Sequence, residues 1–260
     1  MTEKILNISV NGALGNMGRY VMDTVAESAD MKLCFGVDKK SKKISVNDTE
    51  ILIYDSLDLK NNDIDVLVDF TNVESTMNIL KECGENKTDI LIGSTGFSDQ
   101  QIEEMKNTAD SYGITIFLVP NFSVGANLLI KMVKEVAKYY EYADLTEMHH
   151  ENKIDSPSGT AISILNSVIE SKTSTKFKQN TPKIESLPNT RGGSKEGINV
   201  HSRRMPGYVA HHEIVFGSVG ETLTLRHDSI DRKSFMLGVL RALRKINTLN
   251  GFVYGLDNVI

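Results

Sequence analysis

The chain has 260 residues, enough for one large domain or two modest ones with a sizeable core. Hydrophobic residues make up 40% and the formal net charge is -5, which suits a globular protein and argues against a nucleic-acid partner, whose phosphates need a basic surface. Cys34 and Cys83 show no metal-type or disulfide-framework spacing, no apolar run reaches the roughly 18 residues of a membrane span, and Met1 to Asn11 lacks a signal-peptide core. Buried free thiols, no membrane partner and residence in the cytoplasm are therefore expected.

Leu6, Ile8 and Val10 alternate with polar residues and predict a strand. Gly12 to Gly18 is a glycine-rich turn, and Met17, Tyr20, Val21 and Val25 then recur at helical spacing. A second apolar run, Lys32 to Val37, ends at Asp38. Further strands are predicted at Glu50 to Tyr54, Asp65 to Phe70, Asp89 to Ile92 and Gly113 to Val119. Helices are predicted between several of them, near Val73 to Cys83 and Asp99 to Tyr112, with Ser98 and Gln101 spaced as a capping box. Strands alternating with helices imply a Rossmann-like, doubly wound parallel sheet in an α/β fold.

After Asn121 the pattern changes. An amphipathic helix is predicted over Val124 to Tyr140, a strand over Ala143 to His150, and a helix opened by Pro157. Residues 172–197 are rich in Lys, Ser, Thr, Gly and Pro and are expected to form a loop. Strands follow at Ile198 to Arg204, Val209 to Phe216 and Glu221 to His227, then a last helix from Asp231 to Ile246. The clustered strands imply a second α+β domain with a mixed or antiparallel sheet. Residues 1–120 with 231–260 are expected to form a dinucleotide-binding domain, and 121–230 a substrate-binding one.

Gly12-Ala13-Leu14-Gly15-Asn16-Met17-Gly18 follows a strand and opens a helix. Glycines there let the backbone turn sharply and approach a pyrophosphate, which the helix N-terminus attracts. The spacing is GxxGxxG rather than GxGxxG, and a purely structural turn is the competing reading. Asp38, about 20 residues past Gly18, stands where a carboxylate accepts from ribose hydroxyls. Lys39 and Lys40 follow it, with Lys42 and Lys43 beyond. They form either a solvated charged loop or a site for a 2′-phosphate. NADPH, NADH or both are the expected cofactors.

The richest stretch is Glu147-Met148-His149-His150-Glu151-Asn152-Lys153-Ile154-Asp155-Ser156-Pro157-Ser158-Gly159-Thr160-Ala161. Histidine trades protons near neutral pH. Lysine donates a proton or holds a carboxylate. Ser158-Gly159-Thr160 sits where a helix begins, and amides there suit an anion. Taken singly, each has a plainer reading: a structural histidine, a surface lysine, a serine cap. Together they point to a functional site suited to a carboxylate. The spacing matches no H-E-x-x-H pattern and no cysteine is near, so no metal is expected.

This stretch resembles the H-H-x-x-K-x-D-x-P-S-G-T-A signature of the 4-hydroxy-tetrahydrodipicolinate (dihydrodipicolinate) reductases and matches every fixed position. Gly12 to Gly18 is similar to that family's G-x-x-G-x-M-G turn. Gly93-Ser94-Thr95-Gly96 resembles its G-T-T-G loop, with Ser94 in place of a threonine. Asn121-Phe122-Ser123-Val124-Gly125 resembles its N-F-S-x-G junction, and Arg226-His227-Asp228-Ser229 the segment before the last helix. The resemblance implies that His149 donates and accepts a proton, and that Lys153 is the proton donor when the imine carbon is reduced. It implies that His150, Ser158, Gly159 and Thr160 hold the substrate carboxylates. By the same resemblance, Gly12, Ala13, Leu14, Gly15, Asn16, Met17, Asp38, Lys39, Gly93, Ser94, Thr95, Val119, Pro120, Asn121 and Phe122 line the nicotinamide cofactor. It also implies a homotetramer built through the second domain's sheet.

Two rivals are weighed on the residues alone: another two-domain dehydrogenase, acting on a semialdehyde or a sugar, and a non-enzymatic sensor. An acylating semialdehyde dehydrogenase needs a catalytic cysteine, yet Cys34 and Cys83 both precede the second domain. A sugar dehydrogenase does not meet that objection. A sensor of nicotinamide redox state would keep the glycine turn without needing a His/Lys cluster.

Overall fold

The computed structural model describes residues 5–172, 176–179 and 181–260, so Met1 to Lys4 and part of the expected 172–197 loop lie outside the described residues. The chain forms two compact units. One runs to Phe122 and resumes over Phe235–Ile260; the other is Ser123–Ser234.

The first unit contains β1 (Leu6–Asn11), α1 (Asn16–Ala26), β2 (Met31–Val37), β3 (Lys42–Val46), β4 (Thr49–Tyr54), β5 (Val66–Asp69), α2 (Val73–Asn86), β6 (Asp89–Ile92), α3 (Asp99–Tyr112) and β7 (Ile116–Leu118). The second adds α4 (Val124–Val136), β8 (Tyr142–His149), α5 (Gly159–Glu170), β9 (Gly193–Lys195), β10 (Ile198–Arg204), β11 (Ala210–Ser218) and β12 (Glu221–Ser229). The chain then returns to the first unit with α6 (Met236–Ile246) and β13 (Phe252–Tyr254).

Strands of the first unit lie in the order β13-β7-β6-β5-β1-β2-β4-β3. All neighbours are parallel except the β3–β4 hairpin. Central strands of a parallel sheet are covered on both faces and so read as unbroken apolar runs. Val66, Leu67 and Val68 are fully buried in this way, as are Ile90, Leu91 and Ile92. Buried Val21, Met22 and Val25 form the inner face of α1, and Val239, Ala242, Leu243 and Ile246 that of α6. The doubly wound sheet expected from the sequence is present. Four details differ. Lys42 and Lys43 stand in β3, where Lys43 pairs with Glu50 at 2.7 Å, rather than in a loop. The strand β13 went unpredicted, and the last helix opens with a 3-10 turn at Arg232–Phe235. Cys83 is buried as expected, but Cys34 is only partly so.

The second unit's sheet has the order β12-β11-β8-β10-β9. Only β8 and β10 run parallel, so the sheet is mixed. Helices α4 and α5 pack on one face through Leu129, Val133, Ile164, Leu165 and Val168, against Leu145, Val200, Ile214 and Phe216. Each such side chain contributes about 1.5–3 kcal/mol on burial. β9 lies within the expected loop. It pairs with β10 across Glu196 and Gly197, both at positive φ. No helix among the described residues is long and apolar enough to cross a membrane.

Candidate active site

In the first unit, the expected cofactor residues follow the C-terminal ends of parallel strands. Gly12 to Met17 follow β1, Asp38 follows β2, Gly93 to Thr95 follow β6, and Val119 to Phe122 follow β7. Strand order reverses around β1, with β2 on one side and β5 on the other. Such a switch point opens a crevice for a dinucleotide.

Two glycines are demanded by the turn itself. Gly12 adopts φ +79°, and a Cβ there would lie 2.7 Å from the Phe70 carbonyl oxygen. A Cβ on Gly18 would lie 2.1 Å from the Gly12 carbonyl oxygen. Leu14 does not adopt a positive φ, so its position needs no glycine, and its N–H donates to Asp38 Oδ2 at 2.8 Å, tying the turn to the end of β2. Asp38 Oδ1 accepts from the Lys39 N–H at 2.8 Å. A carboxylate has about four acceptor positions, so ribose hydroxyls can still be received.

Side chains cap α2, α3, α4 and α5, whereas α1 begins at Gly15 with no side-chain cap. Its first-turn N–H groups thus fit a pyrophosphate. The residues present suit a nicotinamide dinucleotide. We expect Gly18→Ala to cost about 1–3 kcal/mol of stability through backbone overpacking and to weaken NADPH binding more than tenfold. Thermal melts and fluorescence titration measure the two effects.

Asp69 organises the same sheet edge and was missed in the sequence. It is fully buried at the end of β5. It accepts from Asn11 Nδ2 at 2.8 Å, Thr71 Oγ1 at 2.7 Å, Thr76 Oγ1 at 2.5 Å and Ser94 Oγ at 3.2 Å. Burial pushes its carboxyl up, and these hydrogen bonds oppose that. Val119 and Phe122 are buried, and the Phe122 ring packs against Phe70 at 5.3 Å.

In the second unit, β8 alternates so that Leu145, Glu147 and His149 share the face covered by α4 and α5. His149 Nδ1 lies 2.5 Å from Glu147 Oε2. Arg204 grips the same carboxylate at both oxygens, Nη1 to Oε2 at 3.0 Å and Nη2 to Oε1 at 2.7 Å. Burial pushes the Glu147 carboxyl up, but hydrogen bonds from Arg204, Ser202 and His149 outweigh it and hold the group below its ordinary value. Burial also pulls His149 below its ordinary value. Glu147 opposes this shift, while the positive charges of Lys153 and Arg204 reinforce it.

Ser158 caps α5. Its Oγ accepts from the Ala161 N–H at 3.1 Å and meets His212 Nε2 at 3.1 Å, while its own N–H donates to Glu147 Oε1 at 3.3 Å. Gly159 and Thr160 then supply first-turn N–H groups of α5, and the Gly159 N–H faces the Asp155 carboxylate. Lys153 Nζ pairs with Asp155 Oδ1 at 2.6 Å, and the Lys153 N–H donates to the His150 carbonyl at 3.2 Å. His149, His150, Lys153 and the Ser158 cap thus all lie on β8, α5 or the single loop joining them.

Glu147, Arg204 and His212 were not singled out from the sequence for roles here. Glu147 carried a readable signal, its two-residue spacing from His149. Arg204 and His212 did not, because only sheet pairing sets them opposite His149 and Glu147. Burial, helped by His149, pushes His212 from 6.5 down to about 4. The unfolded chain therefore takes up that proton near 6.5 and the folded chain only near 4. Stability is whole above about pH 6.5 and is lost as pH falls towards 4, by about 3 kcal/mol at most for this group. Melts between pH 7 and pH 4 should show the decline, and His212→Gln should flatten it.

Two family models match in tandem: "Dihydrodipicolinate reductase, N-terminus" over residues 6–122 and "Dihydrodipicolinate reductase, C-terminus" over residues 125–260. A protein of Dictyoglomus turgidum named 4-hydroxy-tetrahydrodipicolinate reductase is 36% identical over 96% of this chain and 96% of its own. One of the same name from Listeria monocytogenes is 37% identical over 98% of this chain and 100% of its own. Among solved structures, the dipicolinate-bound dihydrodipicolinate reductase of Paenisporosarcina sp. TG-14 superposes with a TM-score of 0.85 at 32% identity, covering 98% of this chain and 100% of that one. With both halves matched and relatives aligned end to end, this chain belongs to the dihydrodipicolinate reductase family.

Proposed function

We propose that the protein reduces the dehydrated ring of 4-hydroxy-tetrahydrodipicolinate to tetrahydrodipicolinate, in diaminopimelate and lysine synthesis, with NADPH or NADH as cofactor. The observation that carries this reading is the His149–Glu147–Arg204 chain around a fully buried carboxylate, set beside a lysine turn and a helix start that suits a carboxylate. The solved relative's bound dipicolinate is an aromatic dicarboxylate, which has the charge such a site needs.

Residues 1–120 and 231–260 hold the cofactor in this reading, and residues 121–230 hold the substrate. A bound nicotinamide supplies hydride to the ring. The Gly12 to Met17 turn holds its phosphates through backbone N–H groups, and Asp38 and Lys39 meet the adenosine ribose. Gly93, Ser94 and Thr95 close one side of the cofactor. Val119, Pro120, Asn121 and Phe122 close the other, Val119 through its backbone because its side chain is buried.

Lys153 and His150 draw in the dianion. Gly159 and Thr160 receive one carboxylate at the α5 N-terminus. Ser158 acts by shaping that turn, since its hydroxyl already serves the cap and His212. Lys153 delivers a proton to the reduced ring, and His149 holds or returns one at Nε2. The same reading makes the protein a cytoplasmic homotetramer assembled through the second unit's sheet. Light scattering of the purified chain measures the assembly.

The decisive assay mixes the protein with NADPH and enzymatically generated substrate. Loss of the reduced-nicotinamide absorbance, dependent on that substrate and inhibited by dipicolinate, is the expected result. No loss above the substrate-free rate would remove the assignment.

A further inference from the structure

We propose that Glu147, clamped by Arg204, is a positioning residue that fixes the tautomer and orientation of His149 and favours its protonated form. The proposal rests on the reading of His149 as the proton-exchanging group.

Glu147 is fully buried. A buried carboxylate is costly unless it is paired and fully hydrogen-bonded. Arg204 provides both, in a two-pronged grip at 3.0 and 2.7 Å. Arg204 is itself tethered, donating to the Asp155 carbonyl at 2.8 Å and the Arg203 carbonyl at 2.7 Å. With a guanidinium on both oxygens, Glu147 stays ionised, and an ionised carboxylate only accepts hydrogen bonds.

His149 Nδ1, 2.5 Å from Glu147 Oε2, must be the N–H donor. Neutral His149 is therefore the Nδ1–H tautomer, and Nε2 carries the lone pair that takes a proton. When Nε2 is protonated, the ring gains a positive charge beside a fixed negative one. His149 also faces the cations Lys153 and Arg204 and the edge-on ring of His212, whose centroid is 5.4 Å away. Glu147 is the carboxylate that offsets those neighbours.

A merely structural role for Glu147 would leave the His149 ring chemistry alone. The carboxylate does also accept from the Ser158 N–H at 3.3 Å, so it steadies the α5 start as well. That second contact makes a separate readout necessary.

The test compares wild type with Glu147→Gln, which keeps the shape and removes the charge. Histidine titration is followed by nitrogen-resolved NMR, and steady-state rates with NADPH and substrate by pH. In wild type, neutral His149 should show the Nδ1–H tautomer. In Glu147→Gln, its titration should move to lower pH, and so should whichever limb of the kcat profile follows it. kcat should fall by about 10- to 100-fold, the range for an outer partner that orients a histidine, with dipicolinate affinity held within about threefold. In a His149→Gln background the same change should cost almost nothing more.

An Nε2–H tautomer in wild type would overturn the proposal, and that spectrum needs no variant to fold. An unmoved His149 titration in Glu147→Gln would overturn it too, as would an equal kcat loss in the His149→Gln background. Undiminished turnover in His149→Gln alone would instead defeat the proton-exchange reading on which the proposal stands.

Discussion

His149→Ala is expected to lower kcat by about two to four orders of magnitude, the range for a lost general acid or base. The variant should fold, because the ring stands at the end of β8 and the strand's apolar anchors, Ala143 and Leu145, are untouched. Lys153→Ala should lose a similar factor. The two should differ in what else they lose. If Lys153 attracts the substrate dianion as proposed, its removal should raise the substrate KM, whereas His149→Ala should act mainly on kcat. Near-wild-type turnover in both variants would take them out of the mechanism.

Arg204→Met is expected to produce the largest loss of stability, about 3–5 kcal/mol, because it strands a buried charge on Glu147. The loss should shrink as pH falls. Without Arg204 the folded-state carboxyl rises above its unfolded value, so protonation at low pH relieves the penalty. Adding Glu147→Gln to Arg204→Met should restore part of the stability, since the stranded charge is then gone. Chemical denaturation of wild type and the two variants at pH 7 and pH 5 measures this. A double variant no more stable than Arg204→Met would show that the pair's value is packing rather than charge.

The β-turn-α-β opening was legible because its signals are local. Leu6, Ile8 and Val10 alternate, Gly12 and Gly18 must be glycine for the turn to close, and Asp38 directly follows the next strand. The β3–β4 hairpin was less so. Its turn uses Asn47 and Asp48 at φ 45° and 61°. Both residue types tolerate that region, but neither announces it as glycine does. β9 and β13 have three residues each, too few for a period to be read. They exist because β10 and β7 offer unpaired edges to them.

At the site, His149, Lys153 and the Ser158-Gly159-Thr160 turn could be read directly, since they lie within 12 consecutive residues. What each is committed to could not. Ser158 is expected from the resemblance to hold substrate, yet in the fold its hydroxyl serves the α5 cap and His212. His212 is 54 positions away, and Arg204 is 57 from Glu147.

The sequence by itself determined a doubly wound nucleotide-binding unit, a second unit with a mixed or antiparallel sheet and a compact His/Lys/Ser-Gly-Thr centre, because each is written in neighbouring residues. The tertiary structure decided which ring nitrogen of His149 is held and what charge surrounds it. That choice depends on Glu147 being buried and on Arg204 arriving from another strand, and both are consequences of sheet register rather than of local pattern.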